Sequence, residues 1–267
     1  MTAVARAPVL RVPGILSAAV LLAAVSLTGC GGGDGDGGAG ADGRGGRLSA
    51  TEAAAPDDFG CLTSEEAKVA SLTFKSADGT GTGAYAPGGA SGGGTGAGIV
   101  LAHQSDGTAC QWKDKADELH RAGYRVLAVN SAGQEVSEIV GAAGYLRGKG
   151  AKKLLLMGAS KGGTAVLTAA PAIRPQPDAV IALSAPTVYS AMNALDAVPK
   201  LTAPVLYMAA EYDESFGEDA KALNKASTKA SEHKLIYVRG AGEHGVALLA
   251  GVKNWATVQA FLKKYGS

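Results

Sequence analysis

Ser160, Asp213 and His244 are the residues of this chain whose types and order suit nucleophilic acyl transfer. Ser160 stands in Gly158-Ala159-Ser160-Lys161-Gly162-Gly163, a G-x-S-x-G pattern whose glycines let the backbone turn sharply without Cβ clashes. The apolar run Leu154-Leu155-Leu156-Met157 leads into this turn and Thr164-Ala165-Val166-Leu167 leaves it, giving the order strand, nucleophile turn, helix. A hydroxyl placed there sits at a helix N-terminus, which favours a developing oxyanion. Serine is a weak nucleophile without a base, and the base needs a partner to fix its tautomer. Asp213 follows Val205-Leu206-Tyr207-Met208, and His244 follows Leu235-Ile236-Tyr237-Val238. The order Ser, Asp, His, with each residue just past a strand, brings all three to the carboxyl edge of one parallel sheet. His244 lies in Gly240-Ala241-Gly242-Glu243-His244-Gly245, a loop able to aim its imidazole at Ser160.

Other chemistry finds less support. The chain has 4 His and 3 Cys, too scattered to show ligand spacing, so no metal or organic cofactor is implied. The glycine-rich stretch 88–98 precedes an apolar run, whereas a nucleotide-binding glycine loop follows a strand and opens a helix. Gly148-Lys149 lacks the following Ser or Thr of a phosphate-binding loop. With a formal charge of +1 and both signs interspersed, nothing marks a nucleic-acid or anionic-membrane partner. His120 and His233, on a helix face and at a strand entrance, are read as solvated.

These residues need a sheet to position them. Apolar residues make up 46% of the chain and aromatics 5%, so a core must come from Ala, Val, Leu and Ile, as in helix-covered parallel sheets. Segments 69–75 and 80–86 flank Ser76-Ala77-Asp78-Gly79, a hairpin signal. Short apolar runs follow at 99–102, 126–129, 154–157, 180–183, 205–208 and 234–238. Helical spacing lies at 112–121, 135–147, 162–170, 218–230 and 255–265. The alternation predicts an α/β fold, a three-layer α/β/α sandwich on a mostly parallel sheet of about eight strands.

The beginning of the chain reads as an address. Arg6 and Arg11 precede an apolar run over 15–27 with no acidic residue before Asp34, the layout of a secretion signal. The run ends in Leu27-Thr28-Gly29-Cys30, which resembles the lipobox of bacterial lipoproteins. On that reading 1–29 is a signal peptide and Cys30 the lipidated N-terminus, anchored through its acyl chains. The alternative is an ordinary cleaved signal with an incidental Cys. Residues 30–58 are glycine-rich at first and carry too little apolar surface to fold, a flexible tether. The folded domain is then 59–267, in the cell envelope and outside the cytoplasm. With Cys30 set aside, Cys61 and Cys110 form one disulfide in an oxidising compartment, or else two separate buried thiols.

From about Val69 to Tyr265 the chain resembles the α/β-hydrolase superfamily, nearest its dienelactone-hydrolase-like and small esterase branches. The resemblance rests on Val100-Leu101-Ala102-His103-Gln104, the turn around Ser160, Ala210-Glu211-Tyr212-Asp213 and Gly242-Glu243-His244-Gly245. It departs from dienelactone hydrolases proper in carrying Ser160 rather than Cys, and from many members in carrying Gln104 where they have Gly. The resemblance implies a Ser160-His244-Asp213 triad. It also implies an oxyanion hole made by the backbone N–H of Lys161 and one from the turn Gln104-Ser105, assigned to Gln104. His103 is expected to be structural rather than the base, and the Lys161 side chain to point away from Ser160 along the helix, against a Ser-Lys mechanism. Such enzymes insert lids where 184–204 lies here, so a minimal lid leaves an open site for accessible esters, with Tyr189 and Met192 either lining it or packing at the surface. The expected activity is carboxylester hydrolysis by a monomer. A non-catalytic binding lipoprotein and an acyltransferase with the same triad are the alternatives. The physiological substrate is not named by these motifs.

Overall fold

A computed structural model describes residues 55–92 and 94–267. The expected signal peptide, Cys30 and the expected tether up to residue 54 lie outside the described residues. In chain order the strands are β1 (Ser71–Lys75), β2 (Gly81–Tyr85), β3 (Ala97–Ala102), β4 (Arg125–Val129), β5 (Lys153–Ala159) and β6 (Ala179–Leu183), then β7 (Val188–Tyr189), β8 (Met192–Asn193), β9 (Val205–Ala210) and β10 (His233–Val238). The helices are α1 (Ser64–Ala70), α2 (Lys113–Arg121), α3 (Glu135–Gly148), α4 (Lys161–Ala169), α5 (Ala194–Ala197), α6 (Phe216–Ala226) and α7 (Val252–Gly266). Eight strands form one sheet in the order β1-β2-β4-β3-β5-β6-β9-β10, antiparallel only at β1-β2 and β2-β4. This is the expected three-layer α/β/α sandwich.

Strand alternation splits the core into two layers. Val100, Leu154, Leu156 and Val180 pack with α3, α4 and α6 on one face, while Ile99, Leu155, Met157 and Ile181 pack with α2 and α7 on the other. Strand β5 is therefore apolar at consecutive positions, as a strand covered on both faces must be. Leu155 and Leu156 are both fully buried, and truncating either to Ala is expected to cost about 2–5 kcal/mol.

The register decides where the functional residues lie. Ala102 pairs with Gly158, Ala159 with Leu183, Leu183 with Met208, and Ala210 with Val238. The carboxyl ends of β3, β5, β6, β9 and β10 therefore finish along one edge, and the residues that follow them face a common space.

Several element boundaries differ from the sequence reading, and two of these differences have a visible cause. Residues 69 and 70 close helix α1 instead of opening β1, because Thr63 and Glu66 form a reciprocal capping box and Ala67 and Ala70 turn inward. Helix α6 stops at Ala226 rather than 230, where the buried Ser227 hydroxyl folds back onto the Leu223 carbonyl and meets Tyr207 Oη at 2.6 Å.

The Cys61–Cys110 disulfide is present, with Cα atoms 5.8 Å apart. It fastens the start of the domain to the 3₁₀ turn Ala109–Trp112, and the Thr108 hydroxyl donates to the Phe59 carbonyl beside it. The segment between β6 and β9 is brief: the ribbon β7-β8, helix α5 and a 3₁₀ turn at Val198–Lys200.

Candidate active site

Ser160 occupies a strained turn between β5 and α4, at φ 51° and ψ −121°. A non-glycine residue reaches positive φ only at a cost of about 1–3 kcal/mol, met by surroundings that leave no alternative. Those surroundings are visible at two glycines. A Cβ on Gly158 would sit 2.1 Å from the Gly162 carbonyl oxygen, and one on Gly162 would sit 2.3 Å from that of Ala102. The strand and helix thus approach as closely as the missing side chains allow. Ser160 N–H donates to the Leu183 carbonyl (2.8 Å), which ties the turn to β6.

Asp213 is buried in the loop after β9, held there by Glu211 N–H to the Val238 carbonyl and Tyr212 N–H to the Ala241 carbonyl. His244 Nδ1 lies 2.9 and 3.0 Å from the two oxygens of Asp213. A carboxylate only accepts, so Nδ1 carries the proton and Nε2 is left as the acceptor nitrogen. The Phe216 ring packs on the imidazole at 4.5 Å between centroids. Gly245, next in the chain, lies where a Cβ would be 3.3 Å from Ala159 Cβ, so the histidine loop adjoins the end of β5.

Ser184, which the sequence reading passed over, lies at the heart of this arrangement. It follows β6 at φ 44°, fully buried, and its hydroxyl donates to Asp213 Oδ2 at 2.6 Å while accepting Gly245 N–H at 2.9 Å. A serine directly after the apolar run 180–183 was the available signal, parallel to Ser160 after β5. Phe216 carried no comparable signal.

The remaining named residues separate cleanly. His103 Nε2 accepts Ser131 N–H (3.1 Å), and Nδ1 accordingly donates to the Gln104 carbonyl (2.6 Å). Burial holds this imidazole below its usual pKa. It is a neutral strut between two loops. The Lys161 side chain leaves the turn to pair with Glu135 Oε1 at 2.9 Å, both side chains largely buried. Burial, the largest single influence, pushes the Glu135 carboxyl up, but the hydrogen bond from Lys161, a backbone hydrogen bond and the Lys161 charge together outweigh it, and the net shift is downward. His233 is exposed, as expected, and faces Asn224. His120 corrects its expectation: its Nδ1 is buried without a partner among the described residues, under Gly88.

The turn after β3 also departs from expectation. Gln104 N–H donates to Gln111 Oε1 at 2.9 Å, and the Gln104 side-chain oxygen accepts Val246 N–H at 2.9 Å. Tyr189 and Met192 line a groove of about 340 Å³ with Gln134, Glu135 and Thr168, and Ser160 is not among its lining residues.

No family model matches the chain, and no curated protein matches it in sequence. Solved structures share its architecture. The esterase domain of a Rhodothermus marinus protein superposes with a TM-score of 0.57 at 19% identity, over 74% of this chain and 98% of its own. Est1E from Butyrivibrio proteoclasticus gives 0.59 at 17%, over 74% and 100%. A putative dienelactone hydrolase from Klebsiella pneumoniae gives 0.59 at 19%, over 73% and 100%. The described residues therefore carry the α/β-hydrolase fold.

Proposed function

We propose that the chain is an exported, lipid-anchored serine hydrolase, a carboxylesterase acting on small or accessible esters. The observation that carries this reading is the pairing of His244 Nδ1 with both oxygens of the buried Asp213, at the sheet edge where Ser160 is held at positive φ. The esterase descriptions of the structural neighbours support the same bond class.

In this reading His244 Nε2 takes the Ser160 hydroxyl proton as Oγ bonds to the ester carbonyl carbon. Asp213 stabilises the imidazolium that results. The oxyanion is received by Lys161 N–H, at the first turn of α4, and by a donor from the turn after β3. Because Gln104 N–H is committed to Gln111, the second donor is assigned to Ser105 N–H instead. Each such donor is worth about 10²-fold to 10³-fold in rate. Collapse expels the alcohol, which takes the proton back from His244, and water then hydrolyses the acyl-Ser160 with the same base. The short segment over 184–204 leaves no long lid above the site, which favours accessible esters over a deep acyl tunnel.

Residues 59–267 are to be treated with a fluorophosphonate probe while hydrolysis of short p-nitrophenyl esters is followed, beside Ser160→Ala and His244→Ala. Labelling and turnover in the wild type alone support the reading; a folded wild type that neither labels nor turns over sinks it. Anchoring is read separately, by lipid incorporation into the full chain in its host. Incorporation lost in Cys30→Ser supports the lipobox assignment, and incorporation kept in that variant removes it.

A further inference from the structure

The turn after β3 and the loop that carries His244 are distant in sequence, yet one side chain joins them. Gln104 Oε1 accepts Val246 N–H at 2.9 Å, two residues past His244. The fit is tight, since a Cβ on Gly245 would lie 2.4 Å from that same oxygen, and Gly245 itself is at φ 56°. The other half of Gln104 is equally committed. Its N–H donates to Gln111 Oε1 at 2.9 Å, and Gln111 Nε2 reaches Asp106 Oδ1 at 3.4 Å. The Gln111 side chain also passes close over Gly107: a Cβ there would be 2.0 Å from Gln111 Cδ. Gln111 is in turn rooted in the 3₁₀ turn Ala109–Trp112, where the disulfide fastens its neighbour Cys110 and Asn130 Oδ1 accepts Ala109 N–H.

We propose that Gln104 is a positioning residue that sets the histidine loop and the oxyanion turn in register with each other: Gln111 fixes its main chain, and its side chain fixes Val246. This rests on the serine hydrolase reading above. The physical case is one of tolerance. Proton transfer and oxyanion capture both demand placement within fractions of an ångström, and neither loop belongs to the sheet ladder that orders the strands. A hydrogen bond between the two loops removes their relative freedom without touching substrate.

Two variants separate this role from simple packing. Gln104→Met keeps the length and bulk of the side chain but removes the acceptor, while Gln104→Glu keeps an oxygen for Val246 N–H. The expected result is a kcat lower by about tenfold to a hundredfold in Gln104→Met, with KM within about twofold because ground-state binding is unaffected. Gln104→Glu restores most of the kcat. Amide exchange at Val246, measured alongside, accelerates in Gln104→Met and stays slow in Gln104→Glu. A Met variant with wild-type kcat and wild-type exchange overturns the proposal, as does equal loss in both variants. If wild-type protein neither labels with fluorophosphonate nor turns over, the hydrolase reading fails and the positioning role of Gln104 in catalysis with it. The exchange measurement then still decides whether the hydrogen bond holds the loop.

Discussion

Ser184 and Asp213 share a 2.6 Å hydrogen bond inside the protein, with the serine hydroxyl donating and its oxygen occupied in turn by Gly245 N–H. The carboxylate therefore receives donors from both sides, Ser184 and His244, and the histidine loop is tied to the same serine. Ser184→Ala removes a hydrogen bond to a charged group and strands Gly245 N–H. The expected loss of stability is about 1.5–3 kcal/mol, read by urea unfolding. We also expect kcat for a p-nitrophenyl ester to fall by about tenfold, on the same scale of lost hydrogen-bond energy. Unchanged stability and rate would show that Asp213 needs only its imidazole partner.

Asp213→Asn tests the tautomer. An amide nitrogen facing Nδ1 favours the ring form whose proton sits on Nε2, where it cannot accept from Ser160. A fall in kcat of about 10⁴-fold is expected with the fold retained by circular dichroism. A fall smaller than tenfold would move the acid role away from Asp213.

Lys161 and Glu135 form an ion pair with side chains only 11% and 15% exposed. Glu135→Gln leaves a buried ammonium without its counter-ion and is expected to destabilise the domain by about 3–5 kcal/mol. The pH dependence has a definite sign. The folded-state pKa of Glu135 lies below its ordinary value of 4.5, so its contribution is complete above that value and fades as pH falls through the folded pKa. Unfolding free energy measured on acidification below 4.5 should decline more steeply for wild type than for Glu135→Gln. Parallel declines would assign the acid sensitivity elsewhere.

The Cys61–Cys110 bridge spans a sequence separation of 49, for which the chain-entropy relation gives about 4 kcal/mol of stabilisation. Replacing both cysteines by serine should lower the calorimetric Tm, and adding a reductant to wild type should lower it to a similar value. A double variant that melts with oxidised wild type would mean that the hydrogen bonds around Phe59 and Thr108 hold the segment unaided.

The strands were legible because their signal is local. A strand covered on both faces, such as β5 with Leu154 to Met157, must be continuously apolar, and helices between such strands force parallel pairing. Ser160 was legible for a related reason: only small residues permit the turn that its motif encodes. Helix α1 could have been found from Thr63 and Glu66, but the apolar residues at 69 and 70 fit either a helix end or a strand start. Periodicity does not separate the two over so short a span.

What the sequence determined by itself is the order of elements, the α/β class, the Ser160 turn, and the placement of Asp213 and His244 after their strands, because each is written in neighbouring residues. Only the tertiary structure decided which side chains meet. Ser184 reaches Asp213 across 29 positions, and Gln104 reaches Val246 across 142. Those contacts depend on the sheet register, which aligns the carboxyl ends of strands far apart in the chain. No local spacing encodes a hydrogen bond whose two partners are brought together by the pairing of five strands.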